Sequence, residues 1–246
     1  MKKVLWYSFL VLVVLSLTGC GSTSSSSGGG GGGGTSLTAA SAATYSGQAA
    51  QMSHSMCSLA YSFRSAPPAK LNPNTNTHYT YDNATGLWSY VFNYSVSGVT
   101  FDSNYYIGLY ATGSSVPASS PSPLDKVTMY GSYAYATGGL TYTMTMGSAS
   151  APLTWSGMAG GTITFTGAMS TLVDYNGVSS TVEFTSNNLT MSGGDLPTGT
   201  MSFAVKQNGS TIYSGTMTFN GTTTATLTFG NYTYHVDLLA GSVTAV

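Results

Sequence analysis

Charge is what this sequence most lacks. Six Lys/Arg and seven Asp/Glu in 246 residues make 5 % of positions charged, against roughly 25 % in an ordinary soluble domain. Without clusters of Lys or Arg the chain has no electrostatic footprint for nucleic acid, and that partner class is excluded. Cysteine is almost absent: only Cys20 and Cys57 occur, which excludes a scaffold stapled by several disulfides and a Cys-rich zinc site. Catalytic signatures are missing too, with no G-x-S-x-G, H-E-x-x-H, P-loop or EF-hand pattern. The acids Asp82, Asp102, Asp125, Asp174, Glu183, Asp195 and Asp237 are scattered, with no pair at a spacing suited to acid/base work. The expectation is a protein that is not an enzyme and has no catalytic residues.

What is present is apolar and aromatic. Hydrophobic residues make up 42 % of the chain, with 18 Tyr, 9 Phe and 11 Met, enough to bury a core and unlike a disordered composition. The polar complement is Thr, Ser, Asn and Gly.

Lys2 and Lys3 precede an apolar run, Val4 to Leu17, broken only by Ser8 and Ser16. As a helix it spans about 21 Å, short of the roughly 30 Å hydrocarbon core, so residues 1–19 read as a signal peptide rather than a membrane-spanning helix. The run ends Leu17-Thr18-Gly19-Cys20, which resembles the lipobox of bacterial lipoproteins. The resemblance covers only the first twenty residues. It implies cleavage before Cys20, a diacylglycerol and an N-acyl chain on that residue, and no other cofactor. Two or three acyl chains hold durably where one does not. Gly21, where an Asp is absent, implies sorting to the outer membrane. Residues 20–36 then form a lipidated Cys and a Gly/Ser-rich flexible tether, with a span of about 20–25 Å.

Residues 37–66 are predicted to be an amphipathic helix, with Ser36 or Thr38 as N-cap. Tyr45, Ala49, Met52, Met56, Leu59 and Phe63 recur at spacings of four and three and form one stripe. His54 and Cys57 sit beside Met52 and Met56 in sequence, a soft-metal combination at first sight. At 100° per residue, however, Met52 and Met56 fall within the stripe, His54 on the far side and Cys57 between. The four do not converge, so no metal is expected. Cys57 reads as an inert buried thiol.

Residues 67–246 alternate, and the domain that they form with the helix is expected to be mainly β. Trp88, Tyr90, Phe92, Tyr94 and Val96 recur at period two, as do Phe101, Tyr105, Ile107 and Leu109; Tyr142, Met144 and Met146 alternate with threonines. This predicts ten to thirteen antiparallel strands with one buried face and a Thr-covered face. Asn176-Gly177, Asn208-Gly209 and Asn220-Gly221 mark hairpins, with Gly138-Gly139 and Gly230-Asn231 as weaker markers. The stretch 111–126, with Pro117, Pro121 and Pro123, reads as the longest loop, and Pro152 marks another break. The fold expected is the helix packed on a large, curved antiparallel meander, half-barrel or barrel-like. In outline it resembles the half-barrel of periplasmic lipoprotein carriers of the Lol type, an architectural likeness without a shared motif.

Two marks of chemistry have simpler readings. His235 and Asp237 share a strand face, an arrangement more suited to sheet-surface decoration than to a catalytic pair. Met144-x-Met146 suggests copper(I), but plastic core filling accounts for it better. Two function classes remain. The first is a lipid-anchored envelope protein whose charge-poor β surface meets another protein or a glycan. The second is a carrier holding an apolar ligand between helix and sheet, lined by Tyr45, Met52, Met56, Leu59, Phe63, Tyr142, Met144 and Met146. The first is preferred.

Overall fold

The computed structural model describes residues 38–65, 79–192 and 196–246. The signal peptide, Cys20, the tether and residues 66–78 lie outside the described residues, as do the side chains of Cys57 and Phe63.

Helix α1 spans Ala39–Ser65. Thr38 sets its start: the hydroxyl accepts the Ser41 N–H at 3.2 Å, and the Ser41 hydroxyl accepts the Thr38 N–H at 3.1 Å. This reciprocal pair satisfies two amides that a helix start leaves open.

The rest is one antiparallel sheet. Its thirteen strands are β1 (Tyr79–Asp82), β2 (Leu87–Val96), β3 (Val99–Ala111), β4 (Leu124–Thr137), β5 (Leu140–Met146), β6 (Leu153–Ser156), β7 (Thr162–Tyr175), β8 (Val178–Ser192), β9 (Pro197–Gln207), β10 (Ser210–Asn220), β11 (Thr224–Phe229), β12 (Tyr232–Asp237) and β13 (Ser242–Ala245). Each strand pairs with its sequence neighbour except at one place. There β5 and β6 both lie between β4 and β7, with Tyr133 opposite Met144 and Val127 opposite Trp155. They are two halves of one strand position, interrupted at 147–152. Pro152 lacks the N–H that an unbroken ladder would need.

The turns explain why the chain meanders. Ser97-Gly98, Asn176-Gly177 and Asn208-Gly209 have both central residues at positive φ, as does Gly138-Gly139. That is the two-residue hairpin geometry whose twist matches the flanking strands. Ser97-Gly98 was not among the predicted markers, because serine rarely adopts this conformation. Asn220-Gly221 falls at a reversal as predicted, but the connection to β11 is a longer one, residues 221–223. The loop 112–123 is slightly shorter than the predicted 111–126.

The path ends at β1 and β13, and among the described residues no ladder joins them. A closed barrel, one form the sequence allowed, does not follow from this pairing. Alternation divides the sheet into two faces. One carries Val127, Trp155, Phe165, Phe184, Val205, Met217 and Leu227, all buried; the other is rich in threonine and serine, half-buried or exposed.

Candidate functional site

The buried face differs along its length. Across β1–β5 it is phenolic: Tyr79, Tyr105, Tyr133, Tyr135 and Tyr142 are buried and Tyr90 is half-buried. Register brings them together. Tyr79 pairs with Tyr90, Tyr90 with Tyr105 and Tyr135 with Tyr142. The Tyr79 and Tyr90 rings lie 4.8 Å apart, and Tyr90 stacks on Tyr105 at 6.4 Å. Phe101 sits 4.9 Å from Tyr135 and 6.3 Å from Tyr133.

Burial sets the acidity of these phenols. It pushes Tyr79 up strongly, and the neighbouring Tyr90 and Tyr105 phenols add to the shift. Burial does the same to Tyr105, with Tyr133 next in effect and the Ser103 hydroxyl working against it. Tyr142 is raised by burial and by Tyr133, while the Thr171 hydroxyl opposes the rise. Tyr133 is pushed up to about 12, by burial first and then by Tyr135. All four are therefore neutral donors over the physiological range. Neither the Tyr105 nor the Tyr133 hydroxyl forms a well-aligned hydrogen bond, Ser103 being within reach of Tyr105 only at poor geometry, although the residues are only 6 % and 4 % exposed.

Among the described residues this region is closed at one end and open at the other. At the closed end the 112–123 loop folds over the sheet: Trp88 Nε1 donates to the Ser119 carbonyl at 3.1 Å, and Ala118 N–H donates to the Leu109 carbonyl at 2.8 Å. Toward the β2–β3 hairpin the inward side chains emerge. Along β2, Trp88 is buried, Tyr90 and Phe92 are half-buried, and Tyr94 and Val96 are 46 % and 50 % exposed. At the same end Tyr175, paired with Leu140, is 59 % exposed.

The other half, β8–β12, is lined mainly by phenyl, thioether and aliphatic groups, with Tyr234 as a buried phenol. Phe203 lies 4.8 Å from Phe229 and 5.8 Å from Phe184, with Tyr213 edge-on to Phe229 at 5.7 Å. Gly215 faces inward here beneath the Phe203 ring, and any β-carbon at that position would strike it.

The residues picked from the sequence distribute over both halves. Tyr45 is half-buried, 6.2 Å from Phe229 and 6.3 Å from Tyr213. Met52 and Met56 are buried; the Thr171 hydroxyl lies 2.8 Å from the Met52 sulfur. The neighbouring Ser53 hydroxyl donates to the Ala49 carbonyl at 2.9 Å and lies 3.1 Å from the Met217 sulfur. Leu59 is partly buried against the core. Tyr142, Met144 and Met146 are buried in β5. His54, placed on the far flank by helical spacing, has Nδ1 2.9 Å from the Leu238 carbonyl, so the N–H tautomer at that nitrogen donates. The sequence reading missed Tyr79, Tyr133 and Tyr135; the available signal was the alternation of Tyr133 and Tyr135 with alanines.

His235 and Asp237 are not joined by a hydrogen bond or an ion pair. Asp237 Oδ1 instead accepts the Leu239 and Ala240 amides at 2.8 and 2.9 Å and closes the β12–β13 turn. Those two bonds, Ala240 first, hold its carboxyl below the usual range, with a small contribution from His54.

The outer face carries hydroxyls in cross-strand rows. Thr185, Ser202, Thr216, Thr228 and Thr233 follow one another across β8–β12, each paired with the next. Two residues away runs Thr200, Thr218, Thr226, His235 and Thr244 across β9–β13. Charge is sparse here as well: Lys206 Nζ bridges both Glu183 oxygens at 2.8 and 2.7 Å. No protein-family model matches the chain, and searches of curated proteins and of solved structures likewise return no match.

Proposed function

We propose that the chain is a non-catalytic, lipid-anchored lipoprotein of the bacterial cell envelope, held at the outer membrane through acylated Cys20. Its β domain stands off the membrane on the Gly/Ser tether. Helix α1 covers the concave side of a half-barrel along β8–β13, a reading supported by the Tyr45–Phe229, Ser53–Met217 and His54–Leu238 contacts. The convex face is the working surface, and its partner is a neutral glycan.

The observation that carries this reading is the pair of hydroxyl rows. Neighbouring strands stand about 4.8 Å apart and alternate residues about 6.8 Å apart, so the rows form a regular field of hydroxyls and methyls. Such a field neither repels nor attracts charge, and it offers donors and acceptors to a chain of sugar hydroxyls. The Glu183–Lys206 pair neutralises itself at its edge.

Retention of the purified full chain on immobilised neutral and anionic polysaccharides tests the idea. Retention on a neutral member is expected, with a loss of at least tenfold on changing Thr216 and Thr228 to Glu. Retention on none, or undiminished retention of that variant, would sink it. A second reading, in which the fold holds an apolar ligand, is favoured by the exposure gradient along β2.

A further inference from the structure

Exposed apolar side chains scattered singly are ordinary, and the informative case is a contiguous set. Register makes one here. Val96 pairs with Val99, Val99 with Thr137, Thr137 with Leu140 and Leu140 with Tyr175. These are the last rungs of three hairpins, so they stand level across five strands in a row about 19 Å long. Val96 and Tyr175 are exposed, Val99, Thr137 and Leu140 are half-buried, and Tyr94 stands exposed two residues below Val96. The turns beyond, Ser97-Gly98, Gly138-Gly139 and Asn176-Gly177, are built from uncharged residues. Asp174, one residue from Tyr175, falls on the outer face by alternation, and its Oδ1 accepts the Gly177 N–H at 3.1 Å. The β9–β10 hairpin at the same end differs, since Lys206, Gln207, Asn208 and Ser210 make it polar.

The chain enters the domain at this end. Tyr45 lies 6.2 Å from Phe229, the last residue of β11, whereas His54 bonds the carbonyl of Leu238, just past the end of β12. Helix α1 therefore starts at the hairpin end and runs toward the opposite one. Cys20 precedes it by a tether spanning about 20–25 Å, while the sheet extends about 46 Å along β7. An anchor at Cys20 thus holds the hairpin end, and not the loop end, next to the membrane.

We propose that Tyr94 and the row from Val96 to Tyr175 seat in the interfacial layer of the membrane that carries the anchor. The valines and Leu140 meet the top of the hydrocarbon, and the tyrosine hydroxyls stay among the headgroups, where amphipathic rings are favoured. Asp174 stops deeper entry, because a carboxylate buried without a cation is costly. The anchor makes this second contact intramolecular, so a weak rim suffices. The strands then stand on end, and the outer hydroxyl face is left clear of lipid. This rests on the lipid-anchor part of the proposed function and is independent of the glycan.

The test uses the full acylated chain in vesicles of phosphatidylethanolamine and phosphatidylglycerol, with or without phosphatidylcholine brominated near the top of its acyl chains. Val96→Trp places a fluorophore on the rim, and Val116→Trp places one in the 112–123 loop at the opposite end, where Val116 is exposed. The parent chain, with Trp88 and Trp155 buried, sets the background. Emission from position 96 should move to the blue, with bromine quenching about twofold or more above that at position 116. Tyr175→Trp should behave as Val96→Trp does, and serves if that variant fails to fold. Equal quenching at 96 and 116, or none at either, in a chain that sediments with the vesicles would overturn the proposal and leave the anchor standing. A parent chain that does not sediment would overturn the anchor and the proposal with it.

Discussion

The β1–β5 and β8–β12 regions use the same strand pairing and reach opposite interiors. In β8–β12, Phe184, Phe203 and Phe229 meet face to face or tilted, with Leu227, Val205 and Met217 fully buried around them. Besides the backbone, which the ladders satisfy, few polar groups are taken out of water there: the Ser186 hydroxyl, which donates to the Phe165 carbonyl, and the Tyr234 phenol. In β1–β5, several of the rings carry hydroxyls, and burying them leaves Tyr105 and Tyr133 without a well-aligned hydrogen bond. Equal burial therefore does not mean equal stabilisation. Per ring buried, the first region should stabilise the fold more, because in the second the poorly bonded hydroxyls offset part of the gain.

Substitutions break this comparison in order of size. Phe229→Ala should be the most damaging, at about 3–5 kcal/mol by chemical denaturation, since its ring touches Phe203, Tyr213 and Tyr45. Raising pH should act on the other region. The folded-state phenols titrate above the ordinary value of 10.0, so the unfolded chain releases protons first. Stability contributed by their neutral state is thus full below pH 10 and falls as pH rises toward and past 12, and Tyr133→Phe should flatten that fall. His54→Ala should cost about 0.5–1.5 kcal/mol through loss of the bond to the Leu238 carbonyl. Lys206→Gln should cost about 0–1 kcal/mol, as its pair with Glu183 is a third exposed on each side. Tyr133→Phe should be close to neutral near pH 7, or slightly stabilising, because it removes an unpaired hydroxyl. A large destabilisation from that change would erase the distinction between the two regions.

The sheet was legible in the sequence because period-two alternation is a local property. Thr141, Thr143 and Thr145 between Leu140, Tyr142, Met144 and Met146 fix which face is inside without knowledge of any partner strand. The hairpins were legible where an Asn or Gly marked positive φ, and not at Ser97-Gly98. The sharing of one strand position by β5 and β6 was not legible, because it depends on β4 and β7 each being long enough to pair with both. The phenolic region was hidden for a similar reason. Tyr90 and Tyr105 were recognised as inward-facing, but nothing local brings Tyr79 beside the first or Tyr133 beside Ser103; register across four strands does that. Nor does alternation reveal whether a buried hydroxyl finds a partner. The contact of His54 with the Leu238 carbonyl was not legible either, since helical spacing gives an angle and not what lies opposite.

The anchor proposed for this β domain is the set of acyl chains on Cys20. Growth of an expressing bacterium with radiolabelled palmitate, followed by immunoprecipitation of the full chain, tests it directly. The parent should carry label and sediment with membranes, and Cys20→Ala should carry none. An unlabelled parent, or label that persists in Cys20→Ala, would contradict the account.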